Sequence, residues 1–374
     1  MISSNREELG WRGRWVAWRN AVLASPRFQQ FAARFPLTRP IARRRARALF
    51  DLVAGFTYSQ ILAACIKTGL LDVLAEGPTS TDAVATRIDL PVAGAERLLR
   101  AAAALGLAER LGTAWVLGSD GAALRGNRGI AEMVAHHDLL YADLADPVAL
   151  LRRGGGGGQL SALWHYAESA GTGDGAAVAA YSALMAASQP LIAAQAIDAY
   201  RFDRHRRLLD VGGGEGAFLE AVAARVPGLE LALFDLPAVG ERARGRFELA
   251  GLTPRTSVYG GNFLADPLPQ GFDIISLVRV LHDHDDAPAL ALLRNIRAAL
   301  APGGVLFITE PMALTPGAEP AGDAYFGFYL LAMGSGRPRS PAEIRTMLKA
   351  AGFARSRLLP TAMPLTTRAI IANC

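Results

Sequence analysis

Short apolar runs alternate with helix-length segments along the second half of the chain. The five runs are Arg207–Val211, Leu229–Phe234, Thr256–Tyr259, Asp273–Val278 and Val305–Thr309. This alternation is typical of a parallel sheet covered by helices on both faces. Two later strands, Arg355–Pro360 and Thr367–Ala372, leave no room for a helix between them and should pair as an antiparallel hairpin. The pattern predicts an α/β fold: a doubly wound, Rossmann-like, seven-stranded domain that ends in this hairpin.

The first third of the chain shows helical periodicity followed by a small hairpin. Apolar residues recur at helical spacing from Leu49 to Ile66, and two short helices follow over 83–88 and 93–105. Residues 107–117 read as two strands around a Gly-Thr turn. The arrangement is that of a winged helix. The helix over 93–105 carries only two arginines, which favours dimerisation or substrate covering over a nucleic-acid partner.

These patterns divide the chain into four segments. We predict a basic N-terminal arm over 1–45, a helical winged-helix dimerisation domain over 46–120, a helical connector and substrate cover over 121–205, and the α/β domain over 206–374. Five consecutive glycines at 154–158 interrupt the connector. Because glycine loses much conformational entropy when it is ordered, we expect a flexible joint there.

Charge is concentrated in the N-terminal arm of this 374-residue chain. Residues 1–50 hold eleven arginines and two glutamates, a net charge of +9 within a total of +5. Arginine mixed with tryptophan suits an anionic membrane surface, and an arm that wraps a partner subunit is the alternative. The stretch 176–197 is long enough to span a bilayer, but its polar residues favour a buried or interface helix. Two cysteines and no predicted signal peptide indicate a cytoplasmic protein, with peripheral contact at the inner membrane as a variant.

A glycine loop, Asp210-Val-Gly-Gly-Gly-Glu-Gly216, follows the first strand of the α/β domain. Gly212 and Gly214 let the backbone approach a nucleotide-like ligand closely, and the spacing also fits a dinucleotide. Carboxylates at Asp210 and Glu215 would repel a pyrophosphate and favour a cationic ligand. The loop therefore favours S-adenosylmethionine and leaves a nicotinamide oxidoreductase as an alternative.

Two later positions could complete this cofactor site. Asp235 ends the second strand, where a carboxylate can accept both ribose hydroxyls; a helix cap before Pro237 is the alternative. Asn262 and Phe263 follow the third strand and would offer an amide and an aromatic face to an adenine, unless they form a plain turn.

Catalytic candidates lie at the ends of the next two strands. His282, in the run Leu281-His-Asp-His-Asp-Asp286, could act as a general base near neutral pH. Glu310 could orient that imidazole or a water, or serve as a structural hydrogen-bond acceptor. The cluster of histidines and aspartates also resembles a metal site of a hydrolase, but few further ligands are available, so we expect no metal. The later aspartates should cap the following helix.

The order of motifs resembles that of the plant-type small-molecule O-methyltransferases. The matching motifs lie within residues 46–374 and are, in order, Asp-Val-Gly-Gly-Gly-x-Gly, Phe-Asp-Leu-Pro, Leu-His-Asp-x-x-Asp, Leu-x-Pro-Gly-Gly and Ala-Gly-Phe. The resemblance implies a homodimer, S-adenosylmethionine on the glycine loop and Asp235, and His282 as the base. Where plant members have a strand-four lysine this chain has Val278, followed by Arg279 as the candidate cofactor contact. Where the plant enzymes have a second acidic residue near the histidine, this chain has Pro338. An arrangement of two acids on either side of the histidine is therefore doubtful here.

The N-terminal arm resembles that of the bacterial demethylspheroidene (hydroxyneurosporene) O-methyltransferases of carotenoid synthesis. The likeness rests on Trp15–Arg19, Phe35–Arg45 and Leu49–Gln60. It implies that the acceptor is a hydrophobic 1-hydroxycarotenoid. A phenol or a tetrapyrrole is an alternative acceptor, and a protein that binds the methyl donor without catalysis is an alternative function. An apolar acceptor needs an apolar channel, and core packing is the alternative for each candidate wall residue. The candidate walls are Met133, Tyr181, Leu184, Met185, Tyr325, Phe326, Phe328, Tyr329 and Met333.

Overall fold

The structure is a computed structural model and describes residues 10–168, 189–190 and 192–374. The chain forms two compact units, Met1–Ser119 and Asp120–Cys374. The second unit contains both the predicted connector and the predicted α/β domain. The predicted end of the N-terminal arm at residue 45 and that of the connector at residue 205 fall inside these units, and both boundaries stay predictions.

The first unit consists of helices followed by a two-stranded hairpin. Its helices are Gly10–Ala24, Pro26–Arg34, Arg39–Lys67, Leu70–Ala75, Thr81–Arg87 and Val92–Ala104. Strands β1 (Ala108–Leu111) and β2 (Ala114–Leu117) pair antiparallel. The Ser80 hydroxyl accepts the backbone N–H of Ala83 at 3.3 Å and caps the helix that follows. The predicted helix, helix and hairpin arrangement is confirmed.

The helix Arg39–Lys67 is longer and more exposed than the periodicity predicts. Its 29 residues include an 18-residue window with a mean hydropathy of 1.5, of which 11% is buried. Among the described residues it is the one helix long and apolar enough to cross a membrane, by length and composition alone. The stretch 176–197, named above for the same property, lies mostly outside the described residues.

The second unit is built on a seven-stranded mixed sheet. Its strands are β3 (Arg207–Val211), β4 (Glu230–Asp235), β5 (Thr256–Gly260), β6 (Phe272–Val278), β7 (Leu300–Glu310), β8 (Arg355–Leu359) and β9 (Arg368–Asn373). The spatial order is β5-β4-β3-β6-β7-β9-β8. The first five strands run parallel, and β9 pairs antiparallel with both β7 and β8. The predicted doubly wound sheet and its closing hairpin are confirmed.

Adjacent residues of β3 are buried on opposite faces of this sheet. Leu209 packs with the helix Asp286–Ala299, whereas Leu208 packs with the helix Ala217–Arg225 on the other side. Both leucines are fully buried. Because a one-residue slip would exchange the two faces, this double burial specifies the register. It also aligns the carboxyl ends of β3, β4, β6 and β7 at one edge, where ligands bind in such sheets.

A helical cover precedes the sheet in the second unit. Its helices are Ser119–Arg125, Arg128–Asp143, Pro147–Arg152 and Gln159–Glu168. Later helices are Ala217–Arg225, Pro237–Leu249, Asp286–Ala299, Gly327–Met333 and Pro341–Ala350, with a π-helix over Pro320–Phe326. Leu140, Leu150 and Leu160 of the cover pack with Leu330 and Met333. Met333 is 1% exposed and packs within this cluster, as the core-packing alternative expects; its role as a channel wall stays a prediction.

The five-glycine run is an ordered turn, so the predicted flexible joint is wrong. Gly154 to Gly157 all adopt positive φ, between 62° and 101°. The Gly156 N–H donates to the Leu331 carbonyl at 2.9 Å, and a Cβ on Gly158 would collide with the Asp143 carboxylate. That carboxylate accepts the N–H groups of Gln159 and Leu160. The glycines serve close approach and left-handed geometry rather than mobility.

Candidate active site

The glycine loop joins β3 to the helix Ala217–Arg225 and is tightly packed against the sheet. Gly212 and Gly214 have φ values of 69° and 58°, in the region that favours glycine. A Cβ on Gly212 would lie 2.9 Å from the Val280 side chain. At Gly214, a Cβ would meet no described atom within 4 Å. The loop therefore rests on the sheet at Gly212 and leaves room for a ligand at Gly214.

Asp210 lies beneath this loop. Its Oδ1 accepts the Ser276 hydroxyl at 2.6 Å, and its Oδ2 has no hydrogen-bond partner among the described residues. A Cβ on Gly213 would collide with the carboxylate. Burial, with a smaller contribution from the nearby Asp235, raises the pKa of Asp210 to about 7. Asp210 thus faces the underside of the loop, from which its charge can attract a cationic ligand.

Glu215 does not add to that attraction as the sequence suggested. Its carboxylate pairs with Arg242, with 3.1 Å between Oε1 and Nε, and both side chains are partly buried. A paired carboxylate contributes little net field at the loop. The expectation that Glu215 repels a pyrophosphate is therefore wrong, and the discrimination rests on Asp210 and Asp235.

Asp235, at the end of β4, contacts the open part of the loop. Its Oδ2 accepts the Gly214 N–H at 2.7 Å and its Oδ1 accepts the Leu236 N–H at 2.7 Å. Leu236, not Asp235, occupies the cap position of the helix beginning at Pro237, so the alternative that Asp235 caps this helix is wrong. Burial raises the pKa of Asp235 to about 6, against the effect of these two N–H donors.

The turn after β5 uses Asn262 internally and presents Phe263. The Asn262 Oδ1 accepts the Leu264 N–H at 2.9 Å, as in the plain-turn alternative. The Phe263 ring lies 3.4 Å from the place a Cβ on Gly212 would take. It also meets the His284 ring edge-on, with centroids 5.4 Å apart. An aromatic surface therefore borders the glycine loop.

His282 lies in a short 3₁₀ turn, Leu281–Asp283, after β6 and is 3% exposed. Its Nε2 is 3.2 Å from the Asp283 Oδ1, whereas its Nδ1 has no hydrogen-bond partner within the described chain. Burial, followed by the charge of Arg279, lowers the pKa of His282 to about 3. The ring is therefore neutral at pH 7. With Nε2–H directed to Asp283, the Nδ1 lone pair is the one left to accept a proton.

Glu310 contacts the backbone of this turn rather than the imidazole. It ends β7, is fully buried, and its Oε2 accepts the His282 N–H at 3.1 Å. Burial raises the pKa of Glu310 to about 7. This contact is of the kind expected for a structural hydrogen-bond acceptor, while the Oε1 of Glu310 has no hydrogen-bond partner among the described residues. The acid beside the ring is Asp283.

Arg279 and the later aspartates also shape the turn. Arg279 adopts a φ of 58°, unusual for a residue with a side chain, and its N–H donates to the Thr309 carbonyl at 2.8 Å. Asp285 and Asp286 do not cap the next helix with their side chains: Asp285 accepts the Gly336 N–H, and Asp286 pairs with Arg339. Asp285 does occupy the predicted N-cap position, but the capping hydrogen bond is not formed because the segment around Gly336 supplies competing donors.

Two histidine–tyrosine pairs lie in the same unit and join the cover to the π-helix region. The His136 Nε2 is 3.1 Å from the Tyr329 hydroxyl, and the His137 Nε2 is 2.7 Å from the Tyr325 hydroxyl. The Tyr325 hydroxyl also donates to the Met133 sulfur at 3.5 Å. Burial lowers the pKa of both histidines and raises the pKa of both tyrosines. These polar groups are neutral and satisfy one another.

An aromatic residue beside these pairs reaches the His282 ring. The Phe326 ring lies 5.9 Å from His282 and 5.0 Å from Tyr325, measured between centroids. Phe328, another predicted wall residue, is 36% exposed. The remaining candidates, Tyr181, Leu184 and Met185, lie outside the described residues.

Comparison with known proteins identifies the family. Residues 141–354 match the O-methyltransferase domain, and residues 50–117 match the O-methyltransferase dimerisation domain. The demethylspheroidene O-methyltransferase of Cereibacter sphaeroides is 44% identical over 94% of this chain and 93% of its own length. That of Rhodobacter capsulatus is 42% identical over 94% and 88%. The chain belongs to the O-methyltransferase family.

Solved structures agree with this assignment. The crystal structure of LaPhzM superposes on this O-methyltransferase with a TM-score of 0.73 at 26% identity, covering 88% of this chain and 99% of that one. Human N-acetylserotonin methyltransferase in complex with SAM shares the fold, with a TM-score of 0.73 at 24% identity over 88% and 97%. This O-methyltransferase uses S-adenosylmethionine, and its dimerisation domain indicates a homodimer.

The chemistry of the site fits that cofactor. An open backbone at Gly214, the Asp235 carboxylate beside it, the buried Asp210 below and the Phe263 ring suit a cationic, ribose-bearing, aromatic ligand. Within the described part of the chain, no group of three histidine, cysteine or acidic side chains could hold a metal ion, so the metal-hydrolase alternative gains no support.

Sequence reasoning missed several residues of the site. Asp283 follows the base directly, and a His-Asp dipeptide at a strand end was a signal that could have been weighed for orientation. His136 and His137 carry no local signal of a shared site, because their tyrosine partners lie 193 and 188 residues later. Arg339 gave no signal at all, since nothing in the sequence indicates that it is buried.

Proposed function

We propose that this O-methyltransferase methylates the hydroxyl of a 1-hydroxycarotenoid of the demethylspheroidene or hydroxyneurosporene type. The observation that carries the proposal is identity of 44% and 42% over 94% of the chain with two enzymes named for demethylspheroidene. Mouse acetylserotonin O-methyltransferase, at 32% over 84% of the chain, is more distant. The acceptor would be an apolar polyene with a tertiary alcohol at one end.

The residues that we assign to the donor meet at the carboxyl ends of β3, β4 and β5. Asp235 would accept the ribose hydroxyls, the backbone at Gly212 and Gly214 would line the donor, and Asp210 would attract its cationic part from below. Phe263 would contact the adenine, with Asn262 shaping the turn. Arg279 stays a candidate donor contact. When bound, S-adenosylmethionine supplies a methyl group activated by a sulfonium centre.

His282 is the proposed general base. As the acceptor oxygen bonds to the methyl carbon, the hydroxyl proton would pass to Nδ1, and the resulting imidazolium would keep its Nε2–H on the Asp283 carboxylate. The lowered pKa keeps the ring neutral at pH 7 but also makes it a weaker base, so the Asp283 carboxylate would have to stabilise the imidazolium as the proton arrives. A positioned base contributes about 10²–10⁴-fold in rate, and alignment of the reactants contributes up to roughly 7–11 kcal/mol. Glu310 would hold the backbone of the base in place.

The histidine–tyrosine pairs support an apolar acceptor. Because His136, His137, Tyr325 and Tyr329 satisfy one another and carry no charge, they would present ring surfaces to a ligand without leaving buried polar groups unpaired. Met133 and Phe326 extend this wall with apolar atoms.

Incubation of the protein with S-adenosylmethionine and a 1-hydroxycarotenoid tests the acceptor directly. We expect mass spectrometry to show a product heavier by one methyl group and S-adenosylhomocysteine in equal amount. A phenol and a tetrapyrrole, each at the same concentration, serve as competing acceptors. Methylation of either while the carotenoid stays unchanged would contradict the acceptor assignment, and donor binding without any turnover would support a binding protein instead.

We further propose that the N-terminal arm contacts an anionic membrane from which an apolar acceptor is taken. Trp11, Trp15 and Trp18 are 52–69% exposed. Their spacing places them on one face of the helix Gly10–Ala24. Arg12 and Arg19 flank that face and lie over Trp11 and Trp15. Indole rings flanked by arginines suit the boundary between lipid headgroups and acyl chains.

Vesicle sedimentation distinguishes this role from that of an arm that wraps a partner subunit. With all three tryptophans of the arm changed to Ala, we expect binding to phosphatidylglycerol vesicles to weaken by about tenfold or more, since buried apolar area drives interfacial binding. Wild-type binding should fall with added salt. Leu249→Ala, at an exposed apolar residue of the second unit, is the control. Unchanged vesicle binding with loss of the dimer would contradict the membrane role.

A further inference from the structure

The segment Ser335–Arg339, which precedes the helix Pro341–Ala350, lies directly against the turn that carries His282. The Arg339 side chain is 0% exposed. Its Nη1 donates to the Leu281 carbonyl at 2.8 Å and its Nη2 to the His284 carbonyl at 2.7 Å. The same guanidinium reaches the Asp286 carboxylate at 2.8 Å. A buried cation thus bridges the two ends of the turn.

The two carbonyls between those ends are held by the same segment. The Arg337 backbone N–H donates to the His282 carbonyl at 2.9 Å, and the Ser335 hydroxyl donates to the Asp283 carbonyl at 2.6 Å. Gly336, with φ of 76°, permits this approach, because a Cβ there would collide with the His282 carbonyl. All four consecutive carbonyls of residues 281–284 therefore accept hydrogen bonds from three residues of one five-residue segment: Ser335, Arg337 and Arg339.

The segment is itself anchored on both sides. The Gly336 N–H donates to the Asp285 carboxylate at 3.0 Å. Ser340 and Glu343 form a reciprocal capping box at the start of the helix Pro341–Ala350. From the opposite side of the turn, Glu310 accepts the His282 N–H. The backbone of the base is thus fixed through both its donors and its acceptors.

We propose that Ser335–Arg339 is a positioning clamp for the catalytic base, with Arg339 as its charged anchor. This inference rests on the proposed role of His282. Arg339 is a positioning residue: it contacts the carbonyls on either side of the base and would not touch the acceptor. The planar guanidinium satisfies two carbonyls and a carboxylate together, which a lysine ammonium cannot do in the same geometry.

The charge of Arg339 also bears on the titration of the base. The charged and titratable groups around the His282 ring are Arg279, Asp283, His284, Glu310 and Arg339. Arg339 lowers the pKa of His282, after burial, Arg279 and His284. Removing its charge should raise that pKa. The acidic limb of the kcat–pH profile should then move to higher pH, because the base stays protonated further up the scale.

Steady-state kinetics on Arg339→Lys and Arg339→Met test the clamp, with Arg345→Met, at an exposed arginine of the next helix, as the control. We expect kcat to fall by about 100-fold in the Met variant and about tenfold in the Lys variant, with KM for the donor unchanged, since small misplacements of a reacting group are costly. The acidic limb should shift upward in the Met variant only. If the Met variant does not fold, Ser335→Ala tests the clamp instead. In that variant we expect kcat to fall by about fivefold.

The clamp and the role of the base can fail separately. If His282→Ala is inactive while folded Arg339 and Ser335 variants keep wild-type kcat and pH profile, the clamp is contradicted and the base assignment stands. If His282→Ala stays active, the base assignment is contradicted. Nitrogen NMR of the histidine rings in the free enzyme gives a readout independent of turnover. We expect one Nε2–H tautomer for His282 in the wild type and a mixture in Arg339→Met; identical spectra would contradict the clamp.

Discussion

His282→Ala is expected to lower kcat for methyl transfer by about 10²–10⁴-fold while the dissociation constant for S-adenosylmethionine stays within about twofold. The change removes the Nδ1 lone pair that we assign to the acceptor proton, and it leaves the glycine loop and Asp235 unaltered. Rapid-quench measurement with labelled donor, together with calorimetry of donor binding, gives both numbers.

A matched histidine variant shows whether the effect is specific. His205 precedes β3, where its Nδ1 lies 3.4 Å from the Asp273 carboxylate, at the end of the sheet opposite the site. We expect His205→Ala to keep wild-type kcat. Asp283→Asn should lower kcat less than His282→Ala, because the base remains but its tautomer and orientation are less well defined. Full activity of His282→Ala across pH 6–9 would exclude His282 as the base.

Asp235→Ala is expected to weaken S-adenosylmethionine binding by about 100-fold. The carboxylate would supply two charge-assisted hydrogen bonds to the ribose, and their loss amounts to roughly 3 kcal/mol. It also supports the Gly214 N–H, so the open part of the loop loses an anchor. Titration calorimetry measures the affinity.

The exposed Asp198, which pairs with Arg225 on the surface, provides the control for Asp235. Asp198→Ala should bind the donor as the wild type does. Asp235→Asn should fall between wild type and Asp235→Ala, because an amide can accept one hydroxyl but lacks the charge. Unchanged donor affinity in Asp235→Ala would remove this residue from the cofactor site.

The α/β architecture could be predicted because its signals are local and periodic. Strands such as β3 and β6 are apolar runs of strand length, each followed by a segment with helical spacing. The ends of those strands then fix where Asp210, Asp235 and His282 lie, because carboxyl ends of parallel strands share an edge. Family resemblance and physical pattern led to the same residues.

The contacts that modify the site could not be predicted, because they join distant parts of the chain. Glu215 reads as an unpaired acid until the fold brings Arg242, 27 residues later, into contact. The glycine run reads as flexible until Asp143 and Leu331 are seen to occupy the space that side chains would need. Glu310 is buried as expected, but hydrogen-bond geometry alone reveals that it holds a backbone N–H. Composition and spacing carry no information on such pairings.

The placement of the base beside the donor loop is the central claim, and a crystal structure with S-adenosylhomocysteine and a 1-hydroxycarotenoid tests it most directly. We expect the acceptor hydroxyl about 2.6–3.2 Å from the His282 Nδ1, with the ribose on Asp235 and the polyene along Phe326 and the histidine–tyrosine pairs. A hydroxyl bound away from His282, or a nucleoside placed elsewhere than at Asp235, would contradict it.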